Sequence, residues 1–238
     1  MNRLIERVMR IKQAVAFEVR RFLVLWRYQR PALSFTVWWR LVLKRVLDVA
    51  GAVALLALLS PVMALIALLV KRDSRGPAFF VQERLGRFGR PFCMYKFRTM
   101  RLDAEAQTGP VWAILVHDPR VTRLGRVLRS THLDELPQLL NVVAGQMSLV
   151  GPRPERACFV GPLAHALPAY EQRLWVKPGM TGLAQVHYRY DQTLADVKRK
   201  LRFDLLYVKR MCLALDAKIL AWTVLVVVTG RGLKSRCG

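Results

Sequence analysis

Cysteine is scarce and scattered. Cys93, Cys158, Cys212 and Cys237 show no paired spacing, and the four histidines form no metal pattern with them. A structural zinc site or a disulfide framework is thereby disfavoured, and a reducing compartment is the better match. Acidic residues are scarce too: 16 Asp and Glu face 39 Lys and Arg, leaving a formal net charge of +23. Also missing are a glycine-rich phosphate loop ending in Lys-Ser or Lys-Thr, a dinucleotide-binding glycine pattern and a metalloprotease helix. A cleavable leader is not expected, because the first forty residues are studded with arginine and lack an apolar core followed by small residues.

What is present is apolar as well as basic, with 53% hydrophobic residues. Basic nucleic-acid-binding proteins are usually polar overall, so this combination fits better with a bilayer surface, whose anionic head groups attract Lys and Arg. Polyanionic substrates are a compatible second explanation. Residues 1–43 alternate basic and apolar positions at roughly helical spacing, and Trp26, Trp38 and Trp39 suit a membrane–water boundary. They are expected to form an interfacial amphipathic segment, with a packed helix bearing a solvated basic face as the alternative.

Residues 49–70 follow as 22 residues without a charge, where roughly 20 span a bilayer. Two features speak against a simple crossing. Ser60-Pro61 lies at the midpoint, where proline removes a backbone hydrogen bond. Lys44 and Arg45 precede the stretch and Lys71, Arg72 and Arg75 follow it, which would place both ends in the cytoplasm. A helix–break–helix that enters and leaves by one face satisfies both, with the Ser60 hydroxyl helping to satisfy the freed backbone. A kinked spanning helix stays open. The division expected is 1–43, 44–75 and a catalytic domain over 76–238.

Within that domain "PAFFVQERLGRFGRPFCMYKFRTM" predicts a β-hairpin and "DPRVTRLGRVLRS" a short basic helix after a turn. "PQLLNVVAG" predicts a helix opened by Pro137 and closed near Gly145. "MSLVGPRPE" should be extended, "VKPGMTGLAQVHYRY" a glycine-rich loop leading into a strand, and 193–211 a charged amphipathic helix. The last apolar run, 219–229, is too short to span and suits lying on a membrane or packing on the domain. The fold class expected is α+β: a mostly helical, membrane-associated domain with a small β-hairpin, a re-entrant membrane hairpin and interfacial amphipathic helices.

"STHLDELPQLLN" sets Asp134 and Glu135 side by side. Thr131 and Asp134 resemble a capping box, but a helix begun at Thr131 would carry Pro137 in its second turn. The helix should instead start near Leu136 or Pro137, with the carboxylates just before it. Simple capping by one of them remains open. The helix dipole there would keep a carboxylate ionised, able to act as a nucleophile or to hold magnesium. Arg120, Arg123, Arg126 and Arg129 lie upstream, Lys96 and Arg98 lie on the hairpin, and Arg153 is locked between two prolines. Rigid guanidinium groups suit phosphate oxygens. An acidic pair beside a basic pocket points to a divalent metal and a phosphorylated substrate. His132, adjacent to the pair, reads as a local contact and not a base.

The stretches "KRVLDV", the apolar run interrupted at "SP", "QERLGRFGRPFCMYKFRTM", "DPRVTRLGRVLR", "LDELPQLLNVVAGQMSLVGPRPE", "VKPGMTGLAQV" and "LDAKIL" occur in order from residue 44 to about 220. In these the chain resembles the bacterial sugar transferases, the monotopic polyprenyl-phosphate phosphoglycosyl transferases, in their short form. Its ending further resembles an exopolysaccharide-type subset. The resemblance implies transfer of a sugar 1-phosphate from a UDP-sugar to undecaprenyl phosphate, with release of UMP. The bacterial inner (cytoplasmic) membrane, with the catalytic domain on its cytoplasmic face, is the implied location. Asp134 would be the nucleophile forming a covalent phosphosugar intermediate, and Glu135 would join it in holding Mg2+. Lys96, Arg98, Arg129 and Arg153 would contact phosphate or nucleotide, and Gln138, Asn141, Glu155, Gln185 and Arg189 would shape the donor pocket. Lys44 and Asp48 would tie the membrane helix to the domain or meet the lipid phosphate, while Ser60 and Pro61 break that helix.

His132 stands where a small hydroxyl residue is commoner in the family, and "VHYR" replaces a frequent small-residue sequence. Both bear on sugar choice and leave the acidic pair untouched. The partners expected are the two substrates and membrane lipids, with no nucleic acid; a homodimer is left open. Two alternatives stand beside this reading: a non-catalytic membrane scaffold for glycan assembly, and a basic nucleic-acid-binding membrane protein. The second gives no role to the acidic pair or the interrupted helix.

Overall fold

The computed structural model describes residues 35–101, 104, 118–188 and 193–229. Most of the 1–43 amphipathic segment and Arg189 therefore lie outside the described residues. The first element, helix α1 (Phe35–Asp73), runs across the 43/44 division. It is the one described helix long and apolar enough to cross a membrane.

The helix continues through Ser60 and Pro61, where the sequence predicted non-helical backbone. Proline at 61 leaves the carbonyl of Ala57 without its intrahelical donor. The Ser60 hydroxyl takes that place, donating to Ala57 O at 2.9 Å. The defect is thus satisfied within one turn, and the helix need not unwind. One stripe of α1 faces the domain. Ala52 and Leu56 pack with Met94, Leu139, Val142 and Met147. Beyond the proline, Met63, Ile66 and Val70 pack with Ala78, Phe97 and Leu128. Spacings of three and four residues put these positions on one helical face. The other face exposes Val53, Leu55, Leu58, Val62, Leu65, Leu68 and Leu69.

Strands β1 (Phe79–Leu85) and β2 (Pro91–Phe97) form the predicted antiparallel hairpin, with Phe79 opposite Phe97 and Leu85 opposite Pro91. Helix α2 (Arg123–Ser130) follows the turn at 118–121, its N-terminus capped by the Thr122 hydroxyl, which accepts from Gly125 N. Gly125 is required for close approach: a Cβ there would lie 2.1 Å from Thr99 O. Thr131 is the C-cap of α2, so it caps no following helix. A 3-10 turn (Leu133–Glu135) leads into helix α3 (Gln138–Val143), preceded by Pro137 and followed by Gly145 at φ +81°.

Strand β3 (Ser148–Val150) pairs in parallel with β4 (Gly179–Thr181). Between them come helix α4 (Ala157–Ala166) and a 3-10 stretch (Tyr170–Trp175). The residues after β4 differ from expectation, since Leu183–His187 form a short helix, α5, and not a strand. Its buried Leu183, Ala184 and Val186 follow the turn of a helix and pack toward the next two helices. These are α6 (Leu194–Arg210), with a Thr193–Asp196 capping box, and α7 (Leu213–Thr229). Tyr207, Ile219 and Val226 join Val150, Leu183 and Val186 in their shared core.

Candidate active site

Asp134 and Glu135 occupy the 3-10 turn between α2 and α3. Leu133 and Leu136, on either side of them, pack against the Ile66–Val70 end of α1 and against Phe97 and Leu128. Apolar side chains thus anchor the turn on α1, on either side of the two carboxylates. His132, the residue before the turn, is exposed and left-handed at φ 59°. His is among the few side chains that tolerate this conformation.

The two carboxylates are treated differently. Glu135 Oε1 accepts from Lys96 Nζ at 2.8 Å and from Arg153 Nη2 at 2.6 Å, and Oε2 accepts from Arg153 Nη1 at 3.2 Å. Burial alone would push its carboxyl up, but Arg153 and then Lys96 outweigh burial and hold it well below the usual carboxylate range. Asp134 is buried, and among the described residues no side-chain hydrogen bond is seen to its carboxylate. Burial raises its carboxyl above the ordinary value, Lys96 opposes that, and the charge of Glu135 adds to it. One carboxylate is therefore a fixed ionic post, and the other is buried beside it without such a pairing.

Both cations are delivered by rigid elements. Lys96 sits near the end of β2, where it lies opposite Phe80. Arg153 belongs to Gly151–Pro154, whose two prolines fix φ on either side of it. Close backbone packing accompanies that turn: a Cβ on Gly179 would lie 2.0 Å from Gly151 N. The turn's carbonyls are also held, Pro152 O by Gly179 N at 2.9 Å and Arg153 O by Arg173 Nη2 at 2.9 Å.

Other predicted residues separate. Arg129 Nε donates to Thr99 Oγ1 at 2.9 Å, and its charge acts on Asp134. Gln138 is buried on α3 with Nε2 unpaired. Glu155 pairs with Arg84 at 3.5 Å and lines a cleft beside Arg153 that also includes Gln185, Lys200 and Asp204. Gln185 donates to Met180 O at 2.9 Å and leaves Oε1 buried without a partner.

Two expectations are corrected. Arg98 is 4% exposed and is no phosphate ligand in this geometry. Its guanidinium donates to Ser74 O at 2.6 Å, Arg75 O at 2.7 Å and Val70 O at 3.3 Å, capping the negative end of α1. Asn141 is fully buried and lines neither of the two clefts beside Arg153. Its amide accepts from Tyr95 N at 3.0 Å and donates to Cys93 O at 2.7 Å, filling the hydrogen bonds of β2 on the side that lacks a third strand. Arg120 pairs with Asp118 at 2.7 Å, and Arg123 and Arg126 are exposed on α2.

Lys44 and Asp48 do tie α1 to the domain. Lys44 Nζ lies 2.8 Å from Asp216 Oδ2 and donates to Val150 O at 3.3 Å. Asp48 accepts from Ser148 Oγ at 2.7 Å and Leu149 N at 3.2 Å. The Tyr207 hydroxyl lies between Asp216 Oδ1 at 2.8 Å and Val150 O at 3.0 Å. The Ser148, Tyr207 and Asp216 members of this network, together with Arg173, Asp204 and Tyr170, escaped the sequence reading. Its members are separated by tens of residues and form no local pattern.

A paired carboxylate site with two rigid cations lies against an apolar helix, an arrangement suited to phosphate chemistry. The chain belongs to the bacterial sugar transferase family, whose model matches residues 39–230. It is 42% identical over 202 residues to an exopolysaccharide production protein of Rhizobium leguminosarum bv. phaseoli, covering 81% of this chain and 98% of that one. It is 43% identical over 194 residues to the UDP-glucose:undecaprenyl-phosphate glucose-1-phosphate transferase of Caulobacter vibrioides, covering 78% and 70%. It is 42% identical over 192 residues to the UDP-N-acetylgalactosamine-undecaprenyl-phosphate N-acetylgalactosaminephosphotransferase of Aeromonas hydrophila. The matched regions are 81% of this chain and 45% of that relative, so the chain spans less than half of the Aeromonas protein.

Proposed function

We propose that this protein transfers a sugar 1-phosphate from a UDP-sugar to undecaprenyl phosphate through a covalent intermediate on Asp134. The observation that carries the reading is the asymmetry of the pair: Glu135 is saturated by Lys96 and Arg153, whereas Asp134 is buried and uncommitted. In the first displacement an Asp134 carboxylate oxygen forms a bond to the sugar-bearing phosphorus. The bond from that phosphorus to the bridging oxygen breaks, and UMP leaves with the electron pair. In the second, a phosphate oxygen of the lipid bonds to the same phosphorus and Asp134 departs as carboxylate. The product is a lipid diphosphate sugar. One nucleophile thus serves a water-soluble donor and a membrane acceptor in turn.

Lys96 and Arg153 hold Glu135 and present positive charge where pyrophosphate oxygens would lie. Among the described residues no cluster of three metal-ligating side chains exists. Asp134 nonetheless suits magnesium, which is commonly held by one or two carboxylates with substrate phosphates and water completing its shell. Glu135 would join it only by releasing Lys96 or Arg153. When bound there, the ion would offset charge on the pyrophosphate and the departing nucleotide.

The re-entrant topology belongs to the same proposal, at the cytoplasmic face of the bacterial inner membrane. It is supported by the packing of both halves of α1 on one domain and by the basic residues at both ends. A crossing helix would carry one of its ends away from that domain.

UMP release from protein in nanodiscs with undecaprenyl phosphate, magnesium and a panel of UDP-sugars tests the reaction. The panel includes glucose and N-acetylgalactosamine, between which the named relatives divide. Release lost in Asp134→Asn is the expected result. Release that persists in that variant would remove Asp134 from the nucleophile's role, and none from any donor would favour a scaffold.

A further inference from the structure

Arg153 is the residue on which Glu135 depends most, so what holds Arg153 matters for the reaction. Its prolines fix the chain direction, and one side chain reaches in to its backbone. Arg173, 7% exposed in the 3-10 stretch before β4, donates from Nη2 to Arg153 O at 2.9 Å. The remaining contacts of Arg173 are to Asp204 and Tyr170. Nε lies 2.9 Å and Nη2 2.8 Å from Asp204 Oδ2 on α6, and Nη1 donates to the Tyr170 hydroxyl at 2.8 Å. The guanidinium also lies over the Tyr170 ring, 5.0 Å from its centroid. Asp204 and Tyr170 are each 3% exposed.

A buried ion pair of this kind brings little net stability, because desolvating both charges offsets most of their attraction. What it provides here is direction. The planar guanidinium has donors in fixed positions, so Asp204 and Tyr170 orient it and the second N–H of Nη2 is aimed at one backbone oxygen. We infer that Arg173 is a positioning residue for the transfer reaction, setting the carbonyl of Arg153 and through it the grip of that arginine on Glu135. Asp204 and Tyr170 set Arg173 in turn. This rests on the proposed reaction, in which Arg153 and Glu135 organise the phosphate site.

Arg173 also lines the cleft beside Arg153, so a direct contact with the donor is the competing role, and the two are separable. The experiment measures UMP release in nanodiscs for wild type, Arg173→Lys, Arg153→Lys and the double variant, with melting temperatures alongside. Lysine keeps the charge beside Asp204 but cannot serve Asp204, Tyr170 and the Arg153 carbonyl with one rigid fork. Small displacements of catalytic groups cost up to about a hundredfold in rate. The expected result is a kcat fall of about tenfold or more in Arg173→Lys with KM nearly unchanged, and almost no additional fall in the Arg153→Lys background.

A rise in KM at constant kcat would overturn the inference in favour of donor contact. Losses that multiply in the double variant would overturn it in favour of a merely structural pair. Should Arg173→Lys fail to fold, Tyr170→Phe decides. It removes one hydroxyl, and kcat should fall several-fold at constant KM, again only where Arg153 is present. An unchanged kcat there would overturn the inference. Wild-type turnover, measured in the same series, reports on the proposed reaction independently of these ratios.

Discussion

Replacing Arg98 by methionine separates two jobs that a buried arginine beside a phosphate site can hold. In the structure the guanidinium is spent on carbonyls, at 2.6 Å to Ser74 O, 2.7 Å to Arg75 O and 3.3 Å to Val70 O. The first two are short enough to count as charge-assisted bonds, worth roughly 1.5 kcal/mol each at the low end. The third is long, and Val70 O also accepts from Ser74 N at 3.4 Å, so its loss adds little. Methionine retains much of the apolar stem, so the loss should be about 3 kcal/mol. Leaving carbonyls buried without donors would raise it toward about 5 kcal/mol. For a chain of this size a loss of about 3–5 kcal/mol corresponds to a fall in melting temperature of roughly 6–20 °C. The assay is thermal unfolding in nanodiscs, paired with KM for the UDP-sugar measured well below the new midpoint. The expected result is a large thermal shift with an unchanged KM. An unchanged midpoint with KM raised tenfold would show that Arg98 leaves the helix end for the substrate, and would refute the reasoning.

The remaining predictions concern the acidic pair and the foot of α1. Burial raises the Asp134 carboxyl above its ordinary 3.8, so its ionised form costs stability at neutral pH. Asp134→Asn should therefore melt higher than wild type at pH 7, and the gain should vanish as pH falls below about 3.8; a lower midpoint at pH 7 would contradict this. Lys96 opposes the rise in Asp134, and in the proposed reaction the ionised carboxylate is the attacking form. Lys96→Met should thus move the acid limb of kcat/KM to higher pH, besides lowering its plateau; a limb that stays in place would show another group titrating. Lys44→Met leaves Asp48 and Asp216 buried without their shared cation and should cost about 3–5 kcal/mol. Adding Asp216→Asn should restore part of that in a thermal double-mutant cycle, and strict additivity would show that the pair is not coupled.

Local elements were legible wherever a few neighbouring residues decide the conformation. The helix between Pro137 and Gly145 is legible from proline's fixed φ and glycine's left-handed turn. The structure adds the Thr122 and Thr193 caps to the other two expected helices, and the hairpin follows from β-prone runs around glycine turns. "GLAQVH" misled because its apolar run is shorter than two helical turns, and burial against α6 and α7 made it helical. At Pro61 the missing donor was evident in the sequence. That the Ser60 hydroxyl replaces it without unwinding depends on the helix around it.

The sequence by itself determined the apolar helix with basic residues at both ends, the adjacency of Asp134 and Glu135, and the rigidity of Arg153 between prolines. These are properties of contiguous residues and survive any folding. Only the tertiary structure decided which cations meet Glu135, and that Arg98 and Asn141 serve backbone groups instead of a ligand. It also decided that Lys44, Tyr207 and Asp216 meet at Val150, and that Arg173 reaches the Arg153 carbonyl. The side chains of arginine, lysine and asparagine carry several donors on long or adaptable stems. Their partners are therefore set by what folding buries beside them, where an unpaired polar group costs most.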